Sequence, residues 1–141
     1  MMNSFMEWVE ENGLSLVFTT AAGDSFYVNR EKGFGVIKKV NDYGAHSFFL
    51  TDIAEIRTYD DEHLVAEWNS MASWRTEERS TRYSTNEMYM KISFRTRPGV
   101  RLQIFRATRG NIDRNTLDHM NLYNYACQLT QILSAAASGM R

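Results

Sequence analysis

The stretch MYMKISFRTRPGVRLQIF, residues 88–105, decides the fold class of this chain. Apolar side chains occupy every second position from Met88 to Phe94, and the alternation returns from Val100 to Ile104. The pair Pro98-Gly99 separates the two halves. Alternation with a period of two is typical of a half-buried strand, and a Pro-Gly pair is typical of a tight turn. The stretch therefore predicts an antiparallel β-hairpin.

Downstream of this hairpin the apolar residues change to a helical period. They recur at spacings of three and four residues, which places them on one stripe of a helix. The stripe consists of Leu122, Ala126, Leu129, Leu133 and Ala136, and Tyr125 and Ile132 widen it. Asn115 or Thr116 can cap the start of this helix, and Ser138-Gly139 can end it. We expect a long amphipathic helix that packs on the sheet.

Upstream of the hairpin, short alternating or β-branched runs separated by turn residues predict further strands. The runs are 14–19, 26–28, 36–40, 53–59 and 63–68, with a shorter apolar run at 47–50. A short helix from Phe5 to Asn12, ended by Gly13, precedes them. The prediction is an α+β fold in one domain, residues 1–141. It has a bent antiparallel β-sheet or partly open barrel of about six to seven strands, closed by the C-terminal helix.

Composition excludes several classes of function. The chain has 141 residues and a formal charge of −1, from 16 Lys and Arg against 17 Asp and Glu. Without a global positive field we expect no nucleic-acid partner and no membrane partner. The N-terminal residues carry no pattern of a secretory signal, and one cysteine cannot form an internal disulfide, so we expect a cytoplasmic protein.

No group of residues forms a recognisable catalytic motif. The three histidines fall in a predicted turn, at a strand edge and in the C-terminal helix, and no spacing links them to a nucleophile. Cys127 lies near the apolar stripe of the helix, where a small packed residue is expected rather than a reactive thiolate. The acidic run at 60–62 lacks further ligands for a cation. We therefore predict no catalytic residues, no metal site and no cofactor.

The segment from Asn69 to Asn86 has no sustained period and is rich in Ser, Thr, Arg and Glu. We predict that it is the longest loop and the most mobile internal segment. Trp74, Arg79 and Tyr83 stand in this segment, and aromatic and arginine side chains are enriched at protein interfaces. They are the predicted partner-binding residues, with the alternative that the two aromatic rings cover the sheet.

The order of the elements, short strands in hairpins followed by one C-terminal helix, resembles the bacterial pleckstrin-homology-like (PH-like) superfamily. The run from Phe48 to Ile53, FFLTDI, is similar to an aromatic-x-x-x-Asp-Ile step common in those domains. The resemblance implies a bent sheet with one end plugged by the helix. It does not imply inositide binding here, because the first hairpin loop, residues 20–25, has no basic residue.

Two functional hypotheses follow from the sequence. The first is a non-enzymatic protein-binding or scaffolding module of PH-like type, which rests on the resemblance and on the lack of a catalytic motif. The second is a small-ligand-binding or enzymatic domain that uses a pocket between the sheet and the C-terminal helix. A filled core favours the first, and a deep polar cavity favours the second. A homodimer through an exposed edge strand is compatible with either.

Overall fold

The computed structural model describes residues 4–41, 44–71, 73–76, 84–107, 112–113 and 117–139. Two helices flank the strands: α1 (Ser4–Glu11) at the start and α2 (Leu117–Gly139) at the end. The first sheet contains β1 (Ser15–Thr19), β2 (Ser25–Asn29), β3 (Phe34–Lys38) and β4 (Ala45–Phe49). A 3-10 turn (Leu50–Asp52) leads to β5 (Ile53–Asp60), β6 (His63–Asn69), β7 (Ser73–Thr76), β8 (Ser84–Thr85), β9 (Glu87–Phe94), β10 (Val100–Arg106) and β11 (Ile112–Asp113).

The first sheet is an antiparallel meander in the order β1-β2-β3-β4. Alternate side chains of its middle strand β2 enter two different apolar clusters. Phe26 and Val28 join the larger cluster, the main core, which also contains side chains of the second sheet and of α2. Tyr27 belongs to the smaller cluster and packs under α1. As a result every residue of β2 is buried. Helix α1 therefore makes the first sheet the middle layer of this half of the molecule.

Helix α1 ends at Glu11, one residue before the predicted end at Asn12, and Gly13 follows it closely. This glycine has a φ of 63°, in the left-handed region that side chains disfavour. The backbone N–H of Gly13 donates to the carbonyl of Glu10 at 3.1 Å, and that of Leu14 donates to Val9 at 3.0 Å. These bonds satisfy carbonyl groups at the helix end and turn the chain into β1.

The second sheet has the order β10-β9-β5-β6-β7, and all of its neighbouring strands are antiparallel. The predicted hairpin at 88–105 is confirmed as β9 and β10. The predicted strands at 53–59 and 63–68 are confirmed as the hairpin β5-β6. Strand β5 lies at the centre, so its inward side chains Ile53 and Ile56 are fully buried.

Helix α2 packs against β5, β6, β9 and the 3-10 turn. Leu129 and Leu133 enter the main core, as their spacing predicted, together with Ala126. One polar contact fixes the helix on the sheet: the hydroxyl oxygens of Thr58 and Thr130 lie 2.5 Å apart in a buried position. Because Thr130 donates to the carbonyl of Ala126, the hydroxyl of Thr58 must be the donor in this contact.

The predicted single bent sheet or partly open barrel of six to seven strands is corrected by the structure. In the described residues, eight strands of five to eight residues form two separate sheets, four in each, and β7 adds a short fifth strand to the second. The chain changes sheet at the 3-10 turn, after which β5 pairs with β6 and β9 instead of with β4. The sheets are not closed into a barrel, although the α+β class is confirmed.

The two sheets meet along a line of polar contacts that we call the seam. Its centre is Asp24, whose side chain is 1% exposed. Its carboxylate accepts hydrogen bonds from the Lys39 ammonium at 2.9 Å and from the backbone N–H groups of Val40 at 2.9 Å and Gln103 at 2.8 Å. Thr20 donates to the carbonyl of Gln103 at 2.6 Å. The outer edge of β10 is therefore occupied by the first sheet.

Candidate functional site

Strand β4 is the last strand of the first sheet, and no described strand pairs with it on the side away from β3. The guanidinium of Arg97 donates a hydrogen bond to the carbonyl of Ser47 from that side. In a strand the N–H and C=O groups of one residue point to the same edge. The backbone of Ser47 therefore faces outward, and Arg97 occupies its carbonyl.

A groove runs along this edge, and we call it the edge groove. One part is a cavity of about 340 Å³ lined by Trp8, Phe34, Ser47, Phe48, Phe49, Asp52, Thr96 and Arg97. A second cavity of about 280 Å³ is lined by Ser4, Phe5, Trp8, Ala45 and Ser47. The two cavities share Trp8 and Ser47, so together they follow β4 along its length beside α1.

The alternation of side chains in β4 builds the groove. Phe48 points inward, is 5% exposed and packs on Phe94 with ring centroids 4.8 Å apart. Phe49 points to the other face and is 68% exposed, which is unusual for so large an apolar side chain. Ala45 and Ser47 are small and share that face, so they leave space between the strand and Trp8.

A glycine allows this packing. Gly35 pairs with Phe48 across the strands β3 and β4. A Cβ atom at Gly35 would lie 3.0 Å from side-chain carbons of Leu50 and Phe26 and 3.1 Å from the ring of Phe48. Any side chain at this position would push Phe48 outward and change the floor of the edge groove.

The wall on the α1 side is aromatic. The rings of Phe5 and Tyr27 meet edge to face at 5.4 Å, and the rings of Phe5 and Trp8 stack at 6.2 Å. The ammonium of Lys38 lies 5.9 Å from the centroid of the Phe5 ring. These contacts hold Trp8 in place, because its helix cannot rotate without breaking the cluster with Tyr27.

The other wall is the turn between β9 and β10, and it is fixed to the 3-10 turn. The hydroxyl of Thr96 donates to the carboxylate of Asp52 at 2.8 Å. The guanidinium of Arg95 donates to the carbonyl of Thr51 at 3.0 Å. The guanidinium of Arg97 also lies 5.5 Å from the centroid of the Phe94 ring. Arg97 is the cation inside the edge groove.

A further cavity of about 440 Å³ lies beside the seam. Its lining combines apolar side chains with the polar residues Asp24, Lys39, Asn41, Gln103 and Arg106. The buried carboxylate of Asp24 is already satisfied by three donors. On the nearby helix, burial raises the pKa of the Tyr125 phenol, which donates to the carbonyl of Thr19 at 3.2 Å. Asp24, Lys39 and Gln103 thus join the two sheets, and Tyr125 joins α2 to β1.

Of the three predicted partner-binding residues, the structure describes the backbone of Trp74. Trp74 lies in β7, where its backbone pairs with Trp68, so the predicted loop at 69–86 contains a strand. Arg79 and Tyr83 lie outside the described residues. The prediction that all of 69–86 is a loop is wrong for 73–76 and 84–85, because backbone pairing with β6 and β11 does not need an apolar period.

The sequence analysis missed Trp8, Phe49 and Arg97 as site residues. The only signal for Phe49 was that it directly follows Phe48 in a short strand. Consecutive strand residues face opposite sides, so one of two adjacent phenylalanines must leave the main core. Trp8 comes from the N-terminal helix α1, and Arg97 comes from the turn between β9 and β10. Both are distant from β4 in the sequence, and no local pattern connects them to it.

Other classes of site find no support in the residues that the structure describes. Within them, no group of three or more His, Cys, Asp or Glu side chains could hold a metal ion. Neither helix has an apolar window long enough to cross a bilayer. The three histidines lie on three different elements, β4, β6 and α2. No protein-family model, no curated protein and no solved structure matches this chain, so the PH-like resemblance stays a prediction from the order of its elements.

Proposed function

We propose that this chain is a non-enzymatic protein-binding module that takes up an extended segment of a partner at the edge groove. The observation that carries the proposal is the position of Phe49. It is a large aromatic side chain that is 68% exposed beside an outward-facing strand edge. An added strand would gain backbone hydrogen bonds from β4, and its side chains would gain contact with the aromatic walls.

Two other described edges, those of β1 and β10, are less suited to strand addition. Strand β1 carries an irregularity in its register between Leu16 and Phe18, and such a bulge disturbs the regular row of donors and acceptors. The outer edge of β10 is occupied at the seam. Strand β4 pairs with β3 without a shift over its five residues, so its row of backbone groups is regular.

The packing of α2 supports binding over catalysis. The alternative hypothesis needs a pocket between the sheet and this helix. Instead, Leu129, Leu133 and Ala137 fill that space together with side chains of both sheets. The edge groove, by contrast, is lined mainly by aromatic carbon.

A displayed library of random linear peptides tests the proposal. Panned against the purified chain, it should enrich peptides that compete for one site, and their binding should shift the NMR amide signals of β4. Phe49→Asp should weaken binding about tenfold or more, as expected when an aromatic anchor is lost. Leu16→Asp is the matched control, because Leu16 is 55% exposed on the opposite edge of the same sheet.

The outcomes separate the competing surfaces. Equal loss of binding in both variants, or no enriched peptide, would overturn the proposal. Loss of binding on replacing Trp74, Arg79 and Tyr83 by Ala, with Phe49→Asp unchanged, would move the contact to the surface predicted from the sequence. A chain that sediments as a dimer, and as a monomer after Phe49→Asp, would make a second copy the occupant of the groove instead of a foreign segment.

A further inference from the structure

We infer that the segment taken up at the edge groove carries an acidic side chain, and that Arg97 recognises it by leaving Ser47. This inference rests on the proposed function and adds the chemistry of the partner to it. It starts from an unusual feature of the groove: the acceptor that an added strand would need is already used by a side chain of the protein itself.

Arg97 occupies the carbonyl of Ser47 in the unbound chain. An added strand must place a backbone N–H on that carbonyl, because Ser47 lies in the middle of β4 and faces outward. The guanidinium of Arg97 and the incoming N–H cannot both take the same position. Binding therefore displaces Arg97 from the edge, although its main chain stays in the fixed turn between β9 and β10.

In the part of the chain that the structure describes, the guanidinium of Arg97 forms no ion pair. Among the described residues, no carboxylate lies within ion-pair distance of Arg97. Asp52 lines the same cavity, but its carboxylate accepts from Thr96, and the neighbouring Arg95 donates to the carbonyl of Thr51. Once the exposed guanidinium of Arg97 leaves Ser47, it is free to pair with a carboxylate of the partner.

The geometry favours a carboxylate over other acceptors. A guanidinium can donate two parallel hydrogen bonds to one carboxylate, and such charge-assisted pairs are stronger than bonds to a neutral carbonyl. The exchange replaces a neutral acceptor, the carbonyl of Ser47, by a charged one. Asp52 repels an acid at its own end of the groove, which places the acidic residue of the partner near Ser47. The aromatic walls select apolar neighbours for it.

Three versions of the chain test this inference with the same displayed library: the unchanged protein, Arg97→Gln and Arg95→Gln. Arg95 is the matched control, since it lies in the same turn and also donates to a backbone carbonyl. Peptides enriched on the unchanged chain should share an Asp or Glu at one position. Replacing that acid by its amide should weaken binding about tenfold on the unchanged chain and on Arg95→Gln, as lost charge-assisted bonds do.

On Arg97→Gln the same replacement should change binding by less than about twofold, since no ion pair remains to be lost. The peptide in which Asn or Gln replaces the acid should bind Arg97→Gln at least as tightly as it binds the unchanged chain. The reason is that the carbonyl of Ser47 is less firmly occupied in Arg97→Gln.

Peptides that shift the β4 amides without any preference for acid would overturn this inference and leave the proposed function standing. An acid preference that survives in Arg97→Gln would do the same. Peptides that leave the β4 amides unshifted, or a library that enriches none, would overturn the proposed function and this inference together.

Discussion

The carboxylate of Asp24 accepts a hydrogen bond of 2.8 Å from the backbone N–H of Gln103, a residue 79 positions further along the chain. In the described ranges no strand ladder joins the first sheet to the second, so this contact and its neighbours in the seam take that role. The seam binds the outer edge of β10, whose register shifts between Gln103 and Phe105, mainly with side chains instead of with another strand.

Asp24→Ala should lower the free energy of unfolding by about 2–4 kcal/mol. The substitution leaves the buried N–H of Gln103 and that of Val40 without their acceptor, and each lost partner is costly. Asp52→Ala is the control, because Asp52 accepts only an exposed bond from Thr96 and should cost less than about 1 kcal/mol. Urea denaturation of both variants measures the difference, and equal losses would show that the seam does not hold the sheets together.

Two neighbouring aromatic residues should respond very differently to truncation. Phe48→Ala should cost about 3–5 kcal/mol, because Phe48 is a buried member of the main core. Phe49→Ala should cost less than about 1 kcal/mol, because Phe49 is 68% exposed. Thermal and chemical denaturation check this pair. A large loss in Phe49→Ala would mean that Phe49 is needed for folding and not kept for binding.

Helix α2 offers a similar pair of neighbours. Leu133 is fully buried, and Ile132 beside it is 40% exposed. Leu133→Ala should cost about 2–5 kcal/mol, and Ile132→Ala should cost less than about 1 kcal/mol. If both variants unfold at the same denaturant concentration as the unchanged chain, the helix does not close the core.

Gly35→Ala should destabilise the protein by about 1–3 kcal/mol and disturb the edge groove. The added methyl group would press on Leu50, Phe26 and Phe48, which are all buried. Gly44→Ala is the control, because a Cβ atom there meets nothing within 4 Å. Denaturation gives the stability, and the NMR signals of the Phe48 and Phe94 rings report the groove. Unchanged ring signals in Gly35→Ala would contradict the tight packing.

Hydrogen exchange should distinguish alternate residues of β4. The amides of His46 and Phe48 face β3 and should exchange slowly, whereas those of Ser47 and Phe49 face the open edge and should exchange quickly. The same measurement tests the predicted mobility of 69–86, where 73–76 should be the better protected part because they pair with β6. Uniform protection along β4 would mean that its outer edge is covered.

The sequence predicted most elements because their patterns are local. The alternation in 88–105 and the stripe that contains Leu129 and Leu133 each identify an element without reference to the rest of the chain. The arrangement of the elements depends on contacts between distant residues. Nothing in the local sequence separates Asp24 and Lys39 from ordinary surface charges, because their partners come from β10. The prediction of a single bent sheet or barrel was wrong because such contacts between distant residues determine how the strands are divided between sheets.

The candidate site was harder to predict than the fold, for a related physical reason. An edge strand and a central strand have the same side-chain alternation, and only the pairing of the strands tells them apart. The role of Phe49 therefore depends on β4 having no second neighbour. Arg97 lies in the same turn as Arg95, and the sequence around the two arginines is similar in character. Nothing in that local sequence predicts that Arg97, and not Arg95, contacts the carbonyl of Ser47.

Each sheet is built from a continuous part of the chain, the first from residues 15–49 and the second from residue 53 onward. During synthesis the strands of the first sheet therefore leave the ribosome before those of the second, and α1 can already cover one of its faces. The opposite face, with Phe26 and Ile37, is covered fully only when the second sheet and α2 have been made. A nascent chain at that stage exposes a wide apolar surface, and this interval is when it depends most on protection from aggregation.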